Sequence, residues 1–110
     1  MTELWHVAEG PEWAEAVRSG SYERSTRGLS LAEEGFVHCS YPDQVAGVAA
    51  AFYADADDLV LLRIDPARVP AEIRVEGGFP HVYGPIPIAA VTSADRLTRD
   101  ATGRLLLPEA

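Results

Sequence analysis

The sequence predicts an α+β fold: one compact domain over residues 1–110, with two helices packed on small, mostly antiparallel sheets. Three observations predict it. The apolar pattern alternates between strand and helix periods as far as residue 65, in the order β-α-β-α-β, and then turns to several strands in succession. The segment DLVLLRID (58–65) is apolar on both faces, as a central strand is. The chain is 110 residues long and 47% hydrophobic, enough to bury one core, at roughly two-thirds of the unfolded surface, without staples.

The elements follow in order. Residues 4–8 read as a first strand. Gly10-Pro11 opens a helix, because proline suits the first helical turn and Glu12 and Glu15 suit its dipole. Trp13, Ala16 and Val17 form its inward stripe, and Gly20 ends it. SYERST reads as a short edge strand, and RGLSLAEEG as an excursion leading to a strand at 35–40. Pro42 and Asp43 start a second helix with the stripe Val45, Val48, Ala49 and Phe52. After the central strand, DPARVP is a tight helical turn and AEIRVE a further strand. FPHVYGPIP, extended and rich in proline, belongs at a sheet edge or in a loop. Residues 88–97 and 104–107 are expected to pair as a hairpin around RDATG.

Charge narrows the partners. Nine basic residues, all arginine, stand against seventeen acidic ones, a net charge of −8. Phosphate backbones demand a basic face, so nucleic acid is not an expected partner. A small molecule met by local groups is. A single cysteine excludes an internal disulfide. No apolar run reaches bilayer-spanning length, and the acidic, polar start does not resemble a signal peptide. A cytoplasmic protein with no membrane partner is expected.

The chemistry-bearing residues lie in three places. All three histidines, His6, His38 and His81, sit in apolar, strand-like surroundings. In GFVHCS, strand alternation sends Phe36, His38 and Ser40 one way and Val37 and Cys39 the other, into the core. A Cys39–His38 dyad is thereby excluded. Ser40 to Asp43 reads as a strand–helix junction offering N–H groups to a phosphate or ribose oxygen. His6, His38, Ser40, His81 and Tyr83 are expected to border one cleft. A three-histidine metal site is the weakest reading, since no local H-x-H or H-x-x-x-H pair supports it.

LWHVAEGPEWAEAVRSGSY, EEGFVHCSYPDQV, DLVLLRID and FPHVYGPIPIAAV together resemble the bacterial family called domain of unknown function 952. At fold level that family resembles the compact ADP-ribosyltransferases, which set two small antiparallel sheets around a nicotinamide cleft. The resemblance implies NAD as a substrate rather than a tightly bound cofactor. It implies that His6 holds a ribose and that Phe36 or His38 stands where an aromatic stacks on nicotinamide. FPHVYG falls near the strand that carries a catalytic glutamate in those enzymes. There this chain has His81, while Glu76 lies five residues upstream, reached only by an unusual loop. Its catalytic candidates are thus His38, His81 and Glu76, and its ligand-binding candidates His6, Phe36, Ser40 and Tyr83. A non-catalytic nucleotide or metabolite module on the same fold is the open alternative.

Overall fold

The computed structural model describes residues 2–108. Strand β1 (Leu4–Glu9) passes directly into helix α1 (Gly10–Ser19). Gly20 closes the helix at φ 90°, its N–H returning to the Ala16 carbonyl. Three short strands follow: β2 (Ser21–Tyr22), β3 (Arg24–Thr26) and β4 (Leu29–Ser30). Then comes a helix the sequence reading missed, α2 (Leu31–Glu34), a single turn held by a capping box between Ser30 and Glu33. Strand β5 (Val37–His38) and helix α3 (Val45–Phe52) come next. The remaining strands are β6 (Leu59–Ile64), β7 (Ile73–Glu76), β8 (Phe79–Val82), β9 (Ile86–Pro87), β10 (Val91–Arg96), β11 (Thr98–Arg99) and β12 (Leu105–Leu106). The fold is α+β, with three helices among the described residues rather than the expected two. No helix among them is long and apolar enough to cross a membrane.

Two antiparallel three-stranded sheets carry the architecture, in the orders β1-β6-β10 and β5-β8-β7. Strand β6 is central, as its two-sided apolar pattern requires. Leu62 and Ile64 enter one core with Leu4, Ala8, Ala16, Val37 and Val82, while Leu59 and Leu61 enter another with Trp5, Val7, Val45 and Tyr53. Past the end of β5, Trp5 and Ser40 exchange two backbone hydrogen bonds of 2.8 Å. The segment 37–40 thus runs from one sheet onto the free edge of the other, and it fixes where the sheets part.

Several expectations need correction. Val17 is 55% exposed, so the inward side of α1 is Trp13 and Ala16 alone. Helix α3 begins at Val45, not at Pro42. Only Val45 and Ala49 of its stripe are buried; Phe52 is 60% exposed. FPHV is the middle strand of its sheet, not an edge. Proline is tolerated there because Pro80 stands just beyond the β5 ladder, where its carbonyl accepts from Cys39 N–H at 3.0 Å and only the return bond is forgone. Strand β10 pairs with β6, and the hairpin around RDATG is the shorter β11–β12 pair.

That last hairpin holds α3. The Arg99 guanidinium donates to the carbonyls of Tyr53 (2.9 Å), Ala56 (2.6 Å) and Gly103 (3.0 Å), closing the helix's C-terminal end. Arg99→Ala leaves those carbonyls without their charged donor. It is expected to cost about 2 kcal/mol, read as a drop in melting temperature.

Candidate functional site

A cleft of about 290 Å³ opens where the β1 edge, the segment 37–40 and α3 diverge. Strand β1 contributes His6 and Val7, and the 37–40 segment contributes His38, Cys39 and Ser40. Val48, Phe52 and Tyr53 come from α3 and its end, Phe79 and His81 from β8, and Thr26 from β3. All three histidines line this one cleft. Among the described residues no arginine or acidic side chain does.

His6 is 4% exposed, and both of its ring nitrogens are taken. A carbonyl only accepts, so Nδ1–H donates to the His38 carbonyl at 2.5 Å. Nε2 therefore carries the lone pair and accepts from Tyr22 O–H at 2.8 Å. Burial lowers the His6 pKa to about 4, against the smaller opposing pull of the His38 carbonyl. Burial likewise pushes the Tyr22 hydroxyl well above its ordinary value. His6 is thus a neutral strut between β1, β2 and β5. With this geometry it has no nitrogen left to donate to a ribose, contrary to the expectation.

His38 and His81 are direct cross-strand partners on β5 and β8, with ring centroids 5.0 Å apart. Phe36 stacks on His81 at 4.1 Å and 16°, and meets His38 edge-on at 4.6 Å. Phe36 is therefore a buttress behind the imidazoles and does not itself line the cleft. Burial, then the neighbouring His81, lower the His38 pKa, against a raising pull from Glu34, whose carboxylate is 3.6 Å from Nε2.

Glu76 needs no unusual loop. Gly77 and Gly78, at φ 60° and 85°, make a two-residue hairpin turn that pairs Glu76 with Phe79. His81 lies two residues further along β8, on the same face and diagonal to Glu76. Its Nδ1–H donates to Glu76 Oε1 at 3.0 Å, leaving Nε2 as the basic nitrogen. Tyr83 O–H donates to the same oxygen. These two bonds, the tyrosine's first, hold the Glu76 carboxyl below its usual range, and the carboxylate in turn raises the Tyr83 pKa. Glu76 and Tyr83 stand behind His81, outside the cleft lining.

The expected anion corner at Ser40–Asp43 is not free. Ser40 N–H is bound to Trp5 O, Tyr41 N–H to Gln44 Oε1 at 2.9 Å, and the helix starts only at Val45. Residues 41–44 border a different, shallower depression. Ser40 itself is buried and lines the cleft. Cys39 is also buried, which pushes its thiol up to about 12, so no thiolate is available at neutral pH. Among the described residues no group of three or more His, Cys, Asp or Glu is placed to hold a metal ion. His6, with both nitrogens engaged, shows why the histidines do not form one.

The sequence reading missed Thr26, Val48, Phe52, Tyr53 and Phe79. Phe79 had a signal, since it opens FPHVYG two residues before His81. Phe52 had a misleading one, because its place in the apolar stripe of α3 assigned it to the core.

Comparison with known proteins adds a family. The family described as "Protein of unknown function (DUF952)" matches residues 7–94. The crystal structure of protein CC0527 from Caulobacter crescentus is similar to this chain at 30% identity and a TM-score of 0.84, covering 96% of this chain and 95% of that one. Its solution structure is similar at 30% identity and a TM-score of 0.73, over 94% and 90%. No curated protein matches.

Proposed function

The chain belongs to the DUF952 family, and we propose that it acts on NAD or an ADP-ribose derivative by ribosyl transfer, the chemistry of the ADP-ribosyltransferases that this family is read as resembling at fold level. The observation that carries the reading is the Glu76–His81 hydrogen bond at the cleft wall. A carboxylate that holds Nδ1–H leaves His81 with a defined tautomer and a basic Nε2, the arrangement of an oriented general base. The bond to nicotinamide breaks with its electron pair passing to the ring nitrogen. The cationic ring thereby becomes neutral nicotinamide, and no proton donor is needed. Positive charge develops on the ribose, where the Glu76 carboxylate opposes it through the imidazole. The attacking water or hydroxyl loses its proton to His81 Nε2. His38 and Ser40, beside it on the cleft wall, accept and donate at the ribose hydroxyls.

Size agrees with this reading. About 290 Å³ is at the small end of ligand pockets. It suits nicotinamide with its ribose, the pyrophosphate leading outward. The test is incubation with NAD, with nicotinamide measured, beside calorimetry with NAD, ADP-ribose and a short RNA. Release of nicotinamide, and no RNA binding, is expected. Binding of NAD with no release would move the assignment to a non-catalytic module, and binding of RNA alone would overturn both.

A further inference from the structure

We infer that this chain pairs with a second copy of itself along the open edge of β7, in an antiparallel register centred on Val75 that sets Arg74 of each copy against Glu76 of the other. This pairing goes beyond the reaction proposed above and does not depend on it. Strand β7 ends the sheet β5-β8-β7, and among the described residues no strand bonds its outer side. The backbone shows which groups are left there. Tyr83 N–H donates to the Glu72 carbonyl at 2.8 Å, so Glu72, and by alternation Arg74 and Glu76, turn their backbone groups toward β8. Ile73 and Val75 turn theirs outward. Pro80, which has no N–H to give, stands opposite Val75, as that alternation requires. Val75 also carries its apolar side chain 59% exposed at this edge. Such an edge is a template for another strand.

Charge decides which strand fits, and in which register. Glu72, Arg74 and Glu76 share one face, so the edge reads acid, base, acid. Outward-facing residues must meet outward-facing residues, which leaves self-pairings centred on Ile73, Arg74 or Val75. Centred on Arg74, two copies set Arg74 against Arg74 and Glu72 against Glu76, both repulsive. Centred on Ile73, they draw on residues 71 and 72, which precede the strand. Centred on Val75, residues 74–76 of both copies lie within β7. The two Val75 residues then exchange backbone bonds, their exposed side chains meet, and two Arg74–Glu76 pairs form across the junction. The atoms for those pairs are available. His81 and Tyr83 both bond Glu76 Oε1, which leaves Oε2. Among the described residues Arg74 engages only Nη2, on Glu72 at 2.9 Å, and its guanidinium lies over the Tyr83 ring at this same face. The net charge of −8 opposes association, but exposed charges are screened beyond about 8 Å at physiological salt, so the facing pairs decide. The product is one continuous sheet through both copies, with the second copy's guanidinium beside the carboxylate that orients His81.

Sedimentation equilibrium at physiological salt, over a wide range of protein concentration, reads the assembly. A dimer dissociating at about 10–100 µM is expected, since an edge this short buries less than a standard interface. Val75→Pro removes the outward N–H without breaking a bond to β8, and is expected to weaken association by about tenfold or more. Arg74→Glu and Glu76→Arg each set like charges face to face, and each alone is expected to be monomeric. Mixed in equal amounts they restore opposite charges at both places and should associate within about threefold of the wild type. All three positions are exposed, so melting should barely move. A monomer at every concentration would overturn the inference. So would a dimer that Val75→Pro and Arg74→Glu leave intact, or a mixture that stays monomeric. Nicotinamide release plays no part in this readout, so the pairing and the ribosyl-transfer reading stand or fall separately.

Discussion

Glu76→Gln is expected to lower nicotinamide release from NAD by about 10²- to 10⁴-fold, the range that general acid–base groups contribute. Glutamine keeps the shape of the side chain and can still bond His81, but it carries no charge. Its amide is also free to present N–H rather than oxygen to Nδ1, which would invert the tautomer and turn the Nε2 lone pair away from its task. Because Glu76 is exposed, melting should stay nearly constant, which separates lost catalysis from lost folding. Unchanged turnover in the variant would remove the His81–Glu76 pair from the mechanism. A matching loss in His81→Ala, with no further loss in the double variant, is the expected sign that the two act as one unit.

The largest effect on stability is expected at His6. His6→Leu leaves the His38 carbonyl and the Tyr22 hydroxyl without their buried partner. The cost should be about 2–4 kcal/mol, a fall of roughly 10–20 °C in melting temperature. A companion measurement isolates the imidazole's charge. The folded pKa is lowered to about 4, below the ordinary 6.5, so the fold favours neutral His6. The unfolded chain takes up the proton first as pH falls. The stabilisation is therefore complete above about pH 6.5, shrinks between 6.5 and 4, and is gone below, a loss of about 3 kcal/mol. His38, also lowered, acts in the same direction. The carboxyls with lowered values, Glu33, Asp55, Glu72, Glu76 and Asp100, lose their contribution at more acid pH, below about 4.5. Denaturation between pH 7 and 5 should thus show a steeper acid loss in the wild type than in His6→Leu. Parallel slopes would show that His6 is not the buried neutral group described.

Local chemistry alone determined a good deal of this protein. The two-sided apolar run at 58–65 specified a central strand, because only a strand buried on both faces tolerates it. Alternation around His38 sent Val37 and Cys39 to the core, because the period of two leaves no other choice once one face is buried. Pro11 and Gly20 marked the two ends of α1 through backbone restrictions that need no tertiary partner. The net charge followed from composition.

Everything that depends on pairing was decided by the tertiary structure. Whether FPHV lies at an edge or in the middle depends on what flanks it, and β5 and β7 are distant or out of register in the linear sequence. Glu76 looked remote from His81 because five residues separate them. A tight Gly77-Gly78 turn folds that separation into a diagonal contact. Phe52 looked like core because helical periodicity reports one apolar face, not whether that face meets another element or an open cleft. His6 looked like a donor to ligand until the His38 carbonyl and Tyr22, 32 and 16 residues away, took both its nitrogens. A residue type fixes which bonds a side chain is able to make. Only the register between strands fixes which bonds are already made, and so which atoms remain for a ligand.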